Sequence, residues 1–126
     1  MTLQGLRVLV IEDVVDIRDV FVILLRLDGA DVVAAGSGRE GVEIVKDRQF
    51  DLILSDLGLP DLAGDTLIRE IRSSTGGRRA LVVVITGYGE PYVSRARRAG
   101  ADAIFTKPIE WTEVLEYVRQ SMPLAA

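Results

Sequence analysis

The sequence of 126 residues contains neither cysteine nor histidine. Without cysteine, the chain can form no disulfide and no thiolate metal site. The lack of histidine excludes imidazole catalysis, a histidine phosphodonor on this chain and the usual zinc ligands. No apolar run approaches the ~18 residues of a membrane span, and the N-terminus lacks a signal-peptide pattern. These absences predict a soluble, cytoplasmic protein that makes no membrane contact.

Positive charge is also in short supply. Lysine and arginine number 15 against 19 aspartates and glutamates, which gives a formal net charge of -4. This sign is wrong for a surface that follows phosphate backbones, so direct nucleic-acid binding is not expected. The 48% hydrophobic content is enough for a packed core. The length is that of one ordinary domain, so we predict a single domain over residues 1–126.

Five short apolar runs alternate with five segments of helical periodicity. Strands are predicted at Leu6–Ile11, Asp31–Ala35, Leu52–Ser55, Leu81–Ile85 and Ala103–Phe105. Helices are predicted near residues 14–28, 38–48, 64–74, 90–99 and 110–121, with Gly29 and Gly100 ending the first and the fourth. Strict alternation of strand and helix predicts an α/β fold, in which helices cover both faces of a parallel sheet.

The first and last helices each carry an apolar stripe that is expected to face the core. The predicted stripes are Ile17, Val20, Phe21, Leu24 and Leu27 in the first helix and Trp111, Val114, Leu115, Val118 and Met122 in the last. Val15, Val22 and Leu25 lie off the first stripe and are expected to face solvent. They are either scattered apolar surface residues or a docking patch for a helical partner.

Polar side chains follow four of the five predicted strands at their carboxyl ends. Glu12 and Asp13 follow the first strand, Asp56 the third, Thr86 the fourth and Lys107 the fifth. Ligands of open α/β sheets bind outside this edge, so the five side chains are expected to lie together. Taken singly, each has a plain structural explanation, such as a turn, a helix cap or a solvated loop.

Three carboxylates at one edge repel one another unless cations offset their charge. The ammonium group of Lys107 is one such cation, and a bound metal ion is the second. Oxygen ligands without histidine or cysteine favour Mg²⁺ or Mn²⁺ over zinc. The combination is typical of phosphoryl transfer.

These residues lie in segments that resemble the receiver domain of two-component response regulators over essentially the whole chain. The segments are VLVIED at 8–13, DLILSDLGLP at 51–60 with Gly64 following, VVITG at 83–87 and GADAIFTKP at 100–108. The resemblance implies a flavodoxin-like fold with strand order 2-1-3-4-5. It also implies a phosphoacceptor signalling switch that is no enzyme beyond its own phosphorylation and dephosphorylation.

The resemblance assigns a role to each residue of the edge. Asp56 is the phosphoacceptor, and Mg²⁺ is the cofactor. Asp13, Asp56 and the backbone carbonyl of Gly58 bind the Mg²⁺, while Glu12 acts through a bound water. Lys107 pairs with the phosphoryl group, Thr86 moves toward it after transfer, and the Lys107–Pro108 bond is cis.

Two positions depart from the family pattern. Ile104 stands three residues before Lys107, where the family usually has an aromatic residue that follows the threonine. Phe105 is adjacent but is expected to point to the opposite face of the strand. Gly58 carries no side chain that could shield the phosphate, so we expect free water access and a short-lived acyl phosphate.

The implied partner is a histidine kinase or a histidine phosphotransfer protein. The entry to the first strand resembles that of receivers in hybrid sensor kinases, which leaves open whether the domain stands alone. Arginines at 95, 97 and 98 and glutamates at 110, 113 and 116 predict either two solvated faces or a homodimer through the fourth and fifth helices. Two other classes of function remain open, an aspartyl-phosphate phosphatase and a receiver-like domain without chemistry.

Overall fold

The computed structural model describes residues 3–122 as a five-stranded sheet covered by five helices. The strands are β1 (Arg7–Ile11), β2 (Asp31–Ala35), β3 (Leu52–Ser55), β4 (Leu81–Thr86) and β5 (Ala103–Thr106). The helices are α1 (Val15–Leu27), α2 (Gly38–Asp47), α3 (Gly64–Ser73), α4 (Tyr92–Ala99) and α5 (Trp111–Ser121). All paired strands are parallel and their order is 2-1-3-4-5, which confirms the predicted fold.

Alternate residues of the strands face two separate hydrophobic cores. Leu9 and Ile11 of β1 pack against the core beneath α2, α3 and α4. Val8 and Val10 face the other core, beneath α1 and α5. Both sheet faces are therefore covered, as the continuous Val/Ile/Leu runs of β1, β3 and β4 predicted. Within residues 3–122, no helix has both the length and the apolar character needed to cross a bilayer.

The predicted face of α5 is confirmed, whereas that of α1 is wrong in part. Phe21 is buried as expected, but Val20 and Leu27 are 52% and 70% exposed. Leu25, which was expected to face solvent, is 1% exposed. The sheet-facing side of α1 is formed by Ile17, Phe21 and Leu25, at steps of four, with Val22 at its margin. Apolar residues surround most of this helix, so periodicity alone could not identify the buried side.

The solvent-facing patch predicted at Val15, Val22 and Leu25 is therefore not present as such. Only Val15 is well exposed, because Val22 packs at the margin of the core and Leu25 lies within it.

The ends of α1 and α4 are better predicted than the exposed side of α1. Gly29 and Gly100 follow α1 and α4 with φ of +96° and +120°, a backbone conformation that favours glycine.

Candidate functional site

The sheet register brings the predicted polar residues to one edge. Ile11, the last residue of β1, pairs with Ser55, the last residue of β3, so Glu12 and Asp56 leave the sheet side by side. Thr86 at the end of β4 pairs with Thr106 at the end of β5, which precedes Lys107. The edge is thus the carboxyl end of four strands, as the sequence predicted.

Asp56 is held by its own loop and faces a cation. Its Oδ1 accepts hydrogen bonds from the backbone N–H groups of Leu57 at 2.7 Å and Gly58 at 3.2 Å. Its Oδ2 lies 3.6 Å from the Nζ of Lys107. The side chain is 15% exposed, so it remains accessible at the rim of the sheet. One oxygen is fixed by the backbone, and the other is oriented toward the ammonium group.

The pKa of Glu12 is changed by its burial and by its charged neighbours in the site. The residue is only 3% exposed, and this burial is the main reason that its pKa is raised. The charge of Asp56 and a hydrogen bond with the Asp13 side chain raise the pKa further, while the Val14 N–H and Lys107 oppose the change. Glu12, Asp13, Asp56 and Lys107 are therefore close enough to interact, as predicted.

Thr86 is completely buried at the end of β4, where its Oγ1 accepts a hydrogen bond from the Tyr88 N–H at 3.0 Å. Ile104 packs against the core beneath α3 and α4, whereas Phe105 packs against the opposite core. The expectation that they point to opposite faces is confirmed. The Lys107–Pro108 bond is cis, as the resemblance implied.

Two contacts at this edge were not predicted from the sequence. A Cβ atom on Gly58 would lie 3.0 Å from the Tyr88 ring, so the space left by this glycine is covered by an aromatic side chain from the loop after β4. The expectation of free water access took no account of Tyr88. The second contact is made by Arg18, whose guanidinium donates to the Glu12 carbonyl at 3.1 Å and ties α1 to the site.

The donor set fits a hard divalent cation. Its acidic side chains are carboxylates, and the pKa of Glu12 is raised mainly by burial and further by the charge of Asp56, which Lys107 opposes. Within residues 3–122, no three acidic side chains are arranged to enclose a metal ion by themselves. Mg²⁺ does not need such an enclosure, because it typically takes one or two carboxylates and keeps several waters.

Comparison with known proteins identifies the class. Residues 8–119 match the family model of the response regulator receiver domain, and the chain belongs to that family. It is therefore a receiver domain of two-component signalling, a signalling domain rather than an enzyme in the usual sense. A magnesium ion is coordinated in the active-site cleft of one similar structure, the receiver domain of sensor histidine kinase PA1611 from Pseudomonas aeruginosa PAO1. That structure is 27% identical, with a TM-score of 0.83 over 92% of this chain and 96% of the other.

Two curated relatives differ in how much of them the chain spans. The transcriptional regulatory protein PdtaR of Mycobacterium tuberculosis is 36% identical over 111 residues, which cover 86% of this chain but 53% of the relative. Sporulation initiation phosphotransferase F of Bacillus subtilis is 25% identical over 119 residues, which cover 94% of both proteins. The chain thus spans about half of one relative and nearly all of the other.

Proposed function

We propose that this domain is a phosphoacceptor switch in which Asp56 receives a phosphoryl group from a histidine-phosphate partner. The observation that supports this most strongly is the pairing of Asp56 Oδ2 with Lys107 Nζ at 3.6 Å, beside the buried Glu12 with its raised pKa. An acceptor carboxylate needs a free oxygen, a cation for the developing charge and a route to the donor. Asp56 has all three.

In the proposed step, a carboxylate oxygen of Asp56 attacks the phosphorus atom. A phosphorus–oxygen bond forms while the phosphorus–nitrogen bond to the donor histidine breaks, and the histidine nitrogen leaves with the electron pair. The backbone N–H groups of Leu57 and Gly58 hold the other carboxylate oxygen in place. Lys107 stabilises the charge that spreads over the phosphoryl oxygens in the transition state.

Asp13, Asp56 and the Gly58 carbonyl would hold Mg²⁺, with Glu12 acting through water. When bound, the ion neutralises charge on the phosphoryl oxygens and offsets the repulsion among the carboxylates. The buried hydroxyl of Thr86 then supplies a donor for a phosphoryl oxygen once charge has been added at this edge. Movement of Thr86 would carry along the Tyr88 N–H that is bonded to it, which alters the loop before α4.

The other classes of function have less support. An aspartyl-phosphate phosphatase needs a second aspartate two residues after the nucleophile, and Gly58 occupies that place. A receiver-like domain without chemistry would not require Asp56 to face Lys107.

The proposed partner is a histidine kinase or a histidine phosphotransfer protein, and the proposed place of action is the cytoplasm. The domain is proposed to span residues 1–126. A homodimer through the arginines of α4 and the glutamates of α5 remains a second proposal. Sedimentation with and without a phosphate mimic tests it, and a mass that stays monomeric under both conditions removes it.

The test of the central proposal is phosphorylation by a small donor, with variants of the two aspartates that flank β3. Incubation with Mg²⁺ and acetyl phosphate or phosphoramidate is followed by intact-protein mass. Wild type and Asp51→Asn are expected to gain one phosphoryl group, whereas Asp56→Asn is expected to gain none. Asp51 precedes β3 at the opposite edge, so the pair separates the site from a general effect of losing a carboxylate. Equal labelling of both variants would rule out Asp56 as the acceptor.

A further inference from the structure

A cavity of about 350 Å³ lies beside the phosphoacceptor edge, between the loop after β3 and the first turns of α4. Leu57 and Leu59, which are 7% and 6% exposed, form part of its wall together with Pro60 and Ala63. None of the roles proposed for phosphoryl transfer uses these four side chains. The volume falls within the range of about 300–1,000 Å³ that small-molecule sites occupy.

Two tyrosines form the aromatic side of the cavity. The rings of Tyr88 and Tyr92 have centroids 5.1 Å apart and planes inclined by 36°. Each residue is about half exposed, at 49% and 50%. Exposed aromatic surface next to an apolar wall favours a flat ligand that would bury both. This surface selects for a ring and disfavours a purely aliphatic chain.

The polar groups around the cavity are mainly unused donors. Arg95 lines it and forms no ion pair with any residue in 3–122. Over the same range, neither tyrosine hydroxyl has a hydrogen-bond partner in the protein. The carboxylate at this rim, Asp65, is already engaged by Arg69 at 3.1 Å and by the Thr66 N–H at 3.0 Å. The site therefore offers a cation and donors to an acceptor that the chain does not provide.

We propose that this cavity binds a small aromatic anion. The ring of the ligand packs against Tyr88, Tyr92 and the apolar wall, while its carboxylate or phosphate group pairs with Arg95. The arrangement matches the usual small-molecule site, in which apolar surface supplies contact and a few polar groups fix orientation. The charge-assisted pair with Arg95 selects an anion over a neutral or cationic ring.

Such a ligand would communicate with the phosphoacceptor edge through Tyr88. Its ring lines the cavity and covers Gly58, and its backbone N–H donates a hydrogen bond to Oγ1 of Thr86. A ligand that holds the ring in place thereby favours one arrangement of the loop after β4, and any coupling between the two sites is reciprocal. Binding itself does not depend on phosphoryl transfer, so the two proposals can fail separately.

The test uses indole-3-acetate as the probe, with tryptamine and acetate as matched compounds lacking the negative charge or the ring. Each is titrated into unphosphorylated protein while amide resonances are followed by two-dimensional NMR. For a ligand of about a dozen non-hydrogen atoms, millimolar affinity is expected. We expect saturable shifts from indole-3-acetate at Gly58, Gly64, Tyr88 and Tyr92, and much weaker effects from the other two compounds.

Two arginine variants of α4 distinguish a built site from general attraction to a basic helix. Arg95→Gln is expected to weaken indole-3-acetate binding by about tenfold, while Arg97→Gln, which does not line the cavity, leaves it unchanged. Unaltered spectra away from α4 confirm that both variants fold, and both are expected to accept phosphate normally. Absence of saturable shifts, equal binding of tryptamine, or equal losses in both variants would overturn the proposal. If wild type binds indole-3-acetate but does not take up a phosphoryl group, the phosphoacceptor proposal is contradicted instead.

Discussion

Asp51 and Asp102, at the amino-terminal edge of the sheet, each meet an arginine, whereas the acidic residues at the carboxyl edge share one lysine. Asp51 pairs with Arg7 at 3.2 Å. Burial raises the pKa of Asp51, but the hydrogen bonds and charge of Arg7 outweigh it and hold the pKa below its usual range. Glu12, at the opposite edge, has its pKa raised by burial and by neighbouring carboxyl groups.

The comparison indicates that the charged residues at the two edges of the sheet have different roles. The carboxylates of Asp51 and Asp102 at the amino-terminal edge are matched by arginines within the protein and tie elements together. At the carboxyl edge negative charge is left in excess, which is unfavourable for the isolated domain but favours binding of a cation. A bound cation would in turn offset the charge of a phosphoryl group. Variants at the two edges should therefore separate stability from chemistry.

The largest expected effect is on stability, from Arg72. Its guanidinium donates to the carbonyls of Gly100 and Ala80 and to the carboxylate of Asp102. Arg72→Met leaves these acceptors without their donor, so the free energy of unfolding should fall by about 3 kcal/mol. Urea unfolding measures the change. As a control, Arg69→Met on the same helix removes an exposed ion pair and should lower the free energy of unfolding by less than about 0.5 kcal/mol. Equal losses of stability in the two variants would refute the role assigned to Arg72.

Lys107 should show the converse behaviour, with a large effect on chemistry. Lys107→Met removes the cation that faces Asp56, and phosphorylation by acetyl phosphate should slow by about a hundredfold. The folded domain should remain intact by circular dichroism. Lys46 is the other lysine of the chain and pairs with Glu43 on the surface of α2, so Lys46→Met is the matched control. A normal rate for Lys107→Met would contradict the proposed electrostatic role.

A smaller effect is expected from the ring that covers Gly58. Tyr88→Ala should open this side of the phosphoaspartate to water and shorten its lifetime by about threefold. The decay of the intact phosphorylated mass after removal of the donor measures it. Tyr92→Ala, which removes the ring that contacts Tyr88 at a tilted angle, is expected to have a weaker effect. If Tyr88→Ala leaves the lifetime of the phosphoaspartate unchanged, the Tyr88 ring does not limit water access to it.

The smallest expected effect concerns Glu12 and pH. Because its pKa is raised in the folded state, the folded protein binds this proton more tightly than the unfolded chain does. Stability of the metal-free protein therefore falls as pH rises from about 4.3 through the raised pKa. Glu12→Gln should remove that fall, which makes the variant relatively more stable at neutral pH and not in acid. Chemical unfolding of wild type and Glu12→Gln at several pH values in EDTA tests this. If the free energy of unfolding of both proteins changes with pH in the same way, Glu12 does not cause the fall.

The sequence predicted the site better than it predicted the surfaces around it. Glu12, Asp56, Thr86 and Lys107 could be found because each lies at the carboxyl end of a predicted strand, and parallel topology brings such positions together. The strand order came from family resemblance, since alternation alone allows several orders.

The surfaces depend on information that periodicity lacks. The buried side of α1 could not be chosen, because Val20, Ile23 and Leu27 are as apolar as the residues that pack on the sheet. The contact of Tyr88 with Gly58 depends on the path of the loop after β4. The position of Tyr88, two residues after Thr86, could have placed it near the site, but the direction of its ring required the folded loop.

The most direct test of the account is the effect of ligands on unfolding. Mg²⁺ with beryllofluoride, a mimic of the phosphoryl group, should raise the free energy of unfolding of wild type and of Asp51→Asn by binding only the folded state. Asp56→Asn should lose most of this stabilisation. No stabilisation of wild type, or equal stabilisation of Asp56→Asn, would contradict the claim that the carboxylates at the carboxyl edge bind a cation, which together with Lys107 holds the phosphoryl group at Asp56.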